Sequence, residues 1–281
     1  MSIEKMWGVN FDFSTPLIMS IVNCTNDSFY ADSRTWTAEY AVEKALQAEA
    51  DGADIIDFGG ESTRPGAEYV SEDEELARVL PVVEGFRRRS SLPISVDTRK
   101  ATVAQAVLSA GANIINDVSA MEDDSGMARV CAAYGAYVVL MHKRGVPKTM
   151  QTAPYEVASF YKDVVSEVAA YLKTAAERSK DAGIASDRII LDPGVGFGKT
   201  VRDNIALIRG LVRLRALGYP VLIGLSRKTF IGHITGRNIS DRLAGTLAAN
   251  AIGMTNGANI IRVHDVKEHV DLIKVRHSLS L

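Results

Sequence analysis

Eight short apolar stretches in this chain each end in polar residues whose types could do chemistry. Asn23 follows the first stretch, and Glu61, Thr63 and Arg64 follow the second. Asp97 follows the third, Asn116 and Asp117 the fourth, His142 the fifth and Asp192 the sixth. Ser226, Arg227 and Lys228 follow the seventh, and Arg262, His264 and Asp265 the eighth. One polar residue at a strand end is ordinarily a cap or half of an ion pair. Eight in register describe a ring of carboxylates, amides and bases around one mouth. The ring is sorted by type. Asp97, Asn116 and Asp192 suit the amino-pyrimidinone edge of a flat heterocycle, because a carboxylate accepts two N–H bonds and an amide gives one and takes one. Arg227, Lys228, Arg262 and His264 gather cations on strands seven and eight, where barrels frequently bind phosphate. The implied substrate has a neutral heterocycle on one side and a polyanion on the other.

For these residues to share a mouth, the strands behind them must be parallel and end on the same side. Segments rich in Ile, Val and Leu on both faces, as buried parallel strands are, occupy Leu17–Val22, Asp54–Phe58, Ile94–Val96, Asn113–Asn116, Tyr137–Met141, Arg188–Leu191, Val221–Leu225 and Asn259–Val263. Helical stretches accompany them at Ala38–Ala50, Glu72–Arg89, Lys100–Ala110, Gly126–Ala133, Tyr155–Ala182, Asp203–Leu217, Asp241–Thr255 and Val266–His277. Three stop at a glycine, in Ala110-Gly111, Ala182-Gly183 and Leu217-Gly218, which is normal helix-stop chemistry. The regular repeat has no linker and no boundary between halves. It predicts an α/β fold with one domain over 1–281, a closed TIM (β/α)8 barrel rather than a long open sheet, with the site at the C-terminal strand ends.

Bulk properties exclude several classes. With 281 residues, 47% of them apolar, and a net charge of −2, the chain can build a sizeable core and lacks the basic excess of a general nucleic-acid binder. No apolar run approaches the ~20 residues of a membrane helix, and the first residues do not read as a secretory signal. A cytoplasmic enzyme is expected. Cys24 and Cys131 form neither a disulfide framework nor a zinc motif. The stretch Gly194-Val195-Gly196-Phe197-Gly198-Lys199-Thr200 looks like a phosphate loop, but the first glycine of that motif falls on Pro193, so it reads as a tight turn after strand six. The five histidines show no zinc spacing, and no Gly-x-Ser-x-Gly elbow supports a serine triad.

The stretches Ile21-Val22-Asn23-Cys24-Thr25-Asn26-Asp27-Ser28-Phe29, Asp57-Phe58-Gly59-Gly60-Glu61-Ser62-Thr63-Arg64-Pro65-Gly66, Ile94-Ser95-Val96-Asp97-Thr98, Asn116-Asp117, Met141-His142, Asp192-Pro193-Gly194-Val195-Gly196-Phe197-Gly198-Lys199, Ser226-Arg227-Lys228 and Arg262-Val263-His264-Asp265 together resemble the dihydropteroate synthases. The match runs in order from about Leu17 to the C-terminus, and the glycine-rich second and sixth loops carry most of its specificity. The resemblance implies a condensation of a dihydropterin diphosphate with p-aminobenzoate that releases pyrophosphate. It implies a pterin pocket of Asp97, Asn116, Asp192 and Lys228. It places Asn23, Arg64, Arg262 and His264 at pyrophosphate, with magnesium as cofactor at Asn23. It places Phe29, Thr63, Pro65, Phe197, Ser226 and Thr229 at p-aminobenzoate, Thr229 standing where the family usually has serine. Asp97, Asp192, Lys228, Arg262 and His264 form the catalytic set.

Departures cluster at the first strand and its loop. The family usually has proline at the position of Asn26 and Asp-Gly-Gly after the phenylalanine, where this chain reads Phe29-Tyr30-Ala31-Asp32-Ser33-Arg34; the family's loop aspartate aligns with Ala31, and Ser20 replaces a glycine. Asn26 leaves the loop with backbone freedom that proline would remove. Two alternatives stay open: a methyltetrahydrofolate-binding methyltransferase, whose ring-binding groups are the same, and a catalytically inactive pterin-binding protein. A homodimer is expected, because Ala244, Gly245, Leu247, Ala248, Ala249, Ala251 and Ile252 make an apolar surface wider than one stripe.

Overall fold

In the computed structural model, which describes residues 9–24, 37–62, 69–145 and 159–279, strand and helix alternate along the whole chain. The order is β1 (Leu17–Asn23), α1 (Ala38–Ala50), β2 (Ile55–Gly59), α2 (Glu72–Arg87), β3 (Ile94–Asp97), α3 (Ala101–Ser109), β4 (Ile114–Asp117) and α4 (Met127–Tyr134). Then follow β5 (Tyr137–Met141), α5 (Val164–Asp181), β6 (Ile189–Asp192), α6 (Val201–Arg209), α7 (Leu211–Arg215), β7 (Leu222–Ile223), α8 (Thr229–Thr235), α9 (Leu243–Thr255), β8 (Ile260–Val263) and α10 (Val266–Leu279). All eight strands are parallel, in the order β6-β5-β4-β3-β2-β1-β8-β7. A parallel bridge between Leu191 and Val221 joins the two edges, and the sheet is a TIM barrel. Among the described residues no helix is long and apolar enough to cross a membrane.

The twofold alternation of side chains along each strand sorts the residues. Outward-facing Ile18, Ile56, Phe58, Ile94, Val96, Val138, Leu191, Ile223 and Ile261 pack with the helices in one large core. Inward-facing Met19, Ile55, Ile114, Val139, Ile190, Leu222 and Ile260 fill the barrel in a second, with Phe11 and Phe13 packed against it. Two residues further along the same strands, polar groups enter the inward positions, with Asp57 after Ile55, Asn116 after Ile114, Asp192 after Ile190 and Arg262 after Ile260, while Ile21 and Met141 stay apolar. The register sets Ile21, Asp57, Ser95 and Ile114 side by side, and then Asn23, Gly59, Asp97 and Asn116. An apolar plug below and a polar row above therefore follow from one alternation pattern.

The sequence boundaries mostly hold, and where they shift a cap explains it. The fifth helix begins at Val164, not Tyr155, because the Asp163 side chain accepts hydrogen bonds from the amides of Val165 and Ser166; its expected first turn falls partly on residues outside the description. The sixth begins at Val201 on a capping box between Thr200 and Asp203. That helix, expected to run unbroken to Leu217, is divided at Gly210. A Cβ built there would lie 2.7 and 2.8 Å from the two methyl groups of Val165, so α5 approaches too closely for any side chain. Gly210→Ala is accordingly expected to destabilise the protein by about 1–3 kcal/mol, as overpacking does. In a double-mutant cycle measured by denaturant unfolding, Val165→Ala should relieve part of that loss, with a coupling of roughly 0.5–3 kcal/mol; simple additivity would show that the clash is absorbed elsewhere.

Candidate active site

A cavity of about 730 Å³ opens at the C-terminal ends of the strands. Asn23, Asp97, Asn116, Asp192, Phe197, Ser226, Lys228, Thr229, Arg262 and His264 all border it, so ten of the expected site residues come together. Phe29, Thr63, Arg64 and Pro65, with Asn26, Ala31 and Asp32, lie outside the described residues. Asp117 and His142 leave the expected ring. Asp117 is fully buried and accepts from the amides of Ser119 at 2.7 Å and Met121 at 2.9 Å, capping its own turn. The ring of His142 stands edge-on to that of Tyr171, 4.9 Å between centroids. Each directly follows a residue that lines the cavity, Asn116 and Met141, so strand alternation turns it outward, away from the mouth.

The heterocycle side of the cavity rests on a residue that strand-end reasoning passed over. Asp57 lies inside β2, completely buried, and its Oδ2 accepts from Arg262 Nε at 2.6 Å and from Asn116 Nδ2 at 3.3 Å. Arg262 Nη2 donates to Asp97 Oδ2 at 3.2 Å. One guanidinium thus links β8 to β2 and β3 across the barrel. The signal was present in the sequence. Asp57 shares parity with Ile55 and Gly59 in an otherwise apolar strand, and a charge there must find a counter-charge.

Burial pushes the Asp97 carboxyl up to about 8, against the pull of Arg262. Burial likewise raises Asp192, opposed by Lys228. The Gly194 amide donates to Asp192 Oδ1 at 2.7 Å. Lys228 is lowered to about 8, chiefly by burial. Its Nζ donates to the Val195 carbonyl and lies 4.6 Å from the centre of the Phe197 ring. Glycine at 196 makes room for this lysine, because a Cβ there would sit 3.1 Å from Lys228 Cδ and the backbone takes a φ of +87°.

On the far side, His264 Nδ1 lies 2.9 Å from Ser226 Oγ. Thr229 is the first residue of α8, after Lys228 as N-cap. Arg227, counted among the phosphate-side cations from sequence, is committed elsewhere. Its guanidinium donates to both oxygens of Asp265 at 3.0 and 2.6 Å and to the Ser240 carbonyl at 3.0 Å. Its φ of +53° is unusual for a bulky residue, and the Thr246 hydroxyl accepts from its amide at 3.0 Å. Glu61 enters the cavity wall held by Arg99 at 2.7 Å and by Lys100. Among the described residues no group of three His, Cys, Asp or Glu side chains could hold a metal. Asn23 offers an exposed amide oxygen at the mouth.

Comparison with known proteins agrees with this geometry. The model of the family described as "Pterin binding enzyme" matches residues 19–264. A dihydropteroate synthase of Neisseria meningitidis serogroup B is 46% identical over 95% of this chain and 93% of its own length. The structure of a Xanthomonas albilineans dihydropteroate synthase with 4-aminobenzoic acid superposes with a TM-score of 0.88 at 44% identity, covering 95% of this chain and 94% of that one. The enzyme from the same organism in complex with 7,8-dihydropteroate gives a TM-score of 0.84 at 40% identity, over 96% and 95% of the two chains.

The raised Asp97 carboxyl has a consequence for stability. Unfolded, it ionises near 3.8; folded, it holds its proton up to about 8. Between those values the unfolded chain sheds a proton that the folded one keeps, so stability falls as pH rises from about 4 to about 8. Asp97→Asn removes this cost. Calorimetry of the ligand-free protein should show Tm raised by roughly 2–4 °C near pH 8.5, the shift that about 1 kcal/mol produces, and raised less near pH 5. Equal shifts at both pH values would show that Asp97 does not carry the proton.

Proposed function

The chain belongs to the pterin binding enzyme family, among the dihydropteroate synthases, and from that premise we propose how its own residues perform the reaction. The substrates are 6-hydroxymethyl-7,8-dihydropterin diphosphate and p-aminobenzoate, and the products are 7,8-dihydropteroate and pyrophosphate. The observation that carries the assignment of roles is the sorting of one cavity into a carboxylate–amide side and a cationic side.

Asp97, Asn116 and Asp192 hold the pterin ring by its N–H edge, deep where the strands end. Lys228 completes that pocket from β7. His264 and Arg262 face the diphosphate, with Asn23 at its outer end. The bond from the pterin methylene to the diphosphate oxygen breaks first, and charge builds on the departing pyrophosphate, where fixed cations stabilise it. The Asp192 carboxylate, and that of Asp97 once the ring's N–H groups and Arg262 hold it ionised, stabilise the positive charge left on the ring and methylene. The p-aminobenzoate amine, neutral at pH 7, then forms the new C–N bond, beside Phe197, Ser226 and Thr229. Phe29, Thr63 and Pro65 are assigned to the same substrate and Arg64 to pyrophosphate on the resemblance alone. No side chain has to activate the amine, so catalysis here is positioning plus electrostatics.

Magnesium fits this donor set. The ion commonly keeps several waters and uses substrate phosphate oxygens, so one amide oxygen from Asn23 on the cationic side is enough protein ligation. When bound, it offsets charge on the diphosphate. A methyltetrahydrofolate-binding methyltransferase shares the ring-binding groups, but nothing polyphosphorylated leaves in its reaction, and His264 would have no anion to meet.

We also propose a homodimer through α9. The barrel buries Thr246, Asn250, Gly253 and Met254 of this helix, while Ala244, Ala248 and Ile252 remain exposed on its outer face.

Pyrophosphate release with both substrates present, titrated with magnesium, tests the activity, and binding without turnover would select an inactive pterin-binding protein. Asp192→Asn should weaken pterin binding by about 10–100-fold, the loss of a charged hydrogen-bond acceptor, with little change in Tm. Wild-type affinity in that variant would reduce Asp192 to a cap for the turn at Gly194. Light scattering should return twice the chain mass, and Ala248→Glu should return the monomer; a monomeric wild type at high concentration would refute the dimer.

A further inference from the structure

One deeply buried cation is unused by this mechanism. Lys199 lies in the glycine-rich stretch that looks like a phosphate loop, yet it does not border the cavity. It is 4% exposed. Its Nζ lies 3.0 Å from His142 Nδ1, 3.2 Å from the His142 carbonyl, 2.9 Å from the Gly194 carbonyl and 3.0 Å from the Phe197 carbonyl. Two of these acceptors belong to the end of β5 and two to the loop after β6. The backbones of the two segments are in close contact: a Cβ at Gly194 would lie 1.9 Å from the His142 carbonyl oxygen, and one at Gly198 would lie 2.2 Å from that of Arg144. The same loop carries the Phe197 ring on the cavity wall and the Val195 carbonyl that receives Lys228.

We propose that Lys199 is a positioning residue: its ammonium clasps the β6–α6 loop onto the end of β5 and thereby sets the Phe197 ring for the second substrate. The inference rests on the assignment of Phe197 to p-aminobenzoate. Mutually repelling carbonyl dipoles converge on one point here, and only a buried donor can hold them together. Three N–H groups meet four acceptors in the ammonium form, and two in the amine. Asp97 and Asn116 stand on strand ends away from this loop, and Asp192 meets only its base through the Gly194 amide, whereas Phe197 stands further along it, so the clasp acts on the second substrate more than on the pterin.

The charged surroundings make the clasp sensitive to pH. Burial lowers Lys199 to about 7; Lys228 pushes the same way, while Asp192 and Asp203 oppose it. His142, at the end of β5, is lowered to about 3 by burial first and by Lys199 next, with Arg144 adding to it, so its Nδ1 is an acceptor. The clasp is therefore complete below about pH 7 and loosens as pH rises through that value.

The test compares the wild-type enzyme with Lys199→Met, which keeps the length of the side chain and removes the donors. Pterin affinity is measured by calorimetry, and kcat and KM are measured from pH 6 to 9. In the variant, KM for p-aminobenzoate should rise about tenfold while pterin Kd stays within about threefold, and the step near pH 7 in the wild-type kcat/KM profile should disappear. If Lys199→Met does not fold, Gly198→Ala separates the same two segments without touching the lysine and should reproduce the rise in KM. Wild-type turnover with equal loss of both affinities in the variant, or with no change in KM, would overturn the clasp and leave the enzyme assignment standing. A wild-type enzyme that binds pterin but does not turn over would instead count against the assignment.

Discussion

The site depends on one interaction, the guanidinium of Arg262 placed between Asp57 and Asp97. Two carboxylates inside a barrel, one of them wholly buried, cannot stand unpaired, because isolated charge in a low-dielectric interior costs several kcal/mol after relaxation. Arg262 enters from β8, opposite in sign and donating by Nε and Nη2 at 2.6 and 3.2 Å. It makes a polar upper barrel compatible with the apolar plug beneath it. Even so, Asp57 Oδ1 and Ser95 Oγ have no hydrogen-bond partner among the described residues, and Asp97 remains raised to about 8. Burial is not fully offset. In the proposed reading, the Asp97 carboxyl at the cavity wall is where the amino-pyrimidinone edge of the substrate supplies further N–H donors.

The remaining architecture delivers groups around that pair. Register across β1 to β4 sets Asn23, Gly59, Asp97 and Asn116 in one row, so the depth of the pocket is fixed by backbone ladders rather than by loops. On the opposite side the groups come from turns. Glycines in the β6–α6 loop let the backbone pass within contact of His142 and Lys228, where any Cβ would collide. In the proposed assignment, rigid strand ends hold the ring, and shaped turns hold what reacts with it. Such a division fits a reaction in which one bond breaks before another forms.

Cations in the molecule divide into those that face the cavity and those that build it. Lys228, Arg262 and His264 border the cavity, and so do Arg227 and Arg242. Arg227, in spite of its place in the Ser226-Arg227-Lys228 run, is absorbed by Asp265 and by the carbonyl of Ser240, and its left-handed backbone turns the chain from β7 into α8. Lys199 is absorbed by backbone carbonyls. Arg99 and Lys100 hold Glu61 and so brace the base of the second loop. Nearest-neighbour sequence does not distinguish these uses, since all of these basic residues but Arg242 lie near the C-terminal end of a strand or in the loop that follows it.

Sequence alone determined the repeat, the parallel strands, the barrel and the membership of most of the site. Each of these follows from local periodicity and from residue type at a strand end, which are properties of a few consecutive positions. Asp97, Asn116, Asp192, Lys228, Arg262 and His264 were legible in that way. Tertiary structure decided what depends on residues far apart in the chain. It paired Arg262 with Asp57 across 205 positions, tied Arg227 to Asp265, turned Asp117 and His142 away from the mouth, and broke a helix at Gly210 because Val165 lies against it. The reason is physical: a strand's periodicity says which face a side chain takes, but a buried charge or a missing Cβ is explained only by the atom that comes to meet it.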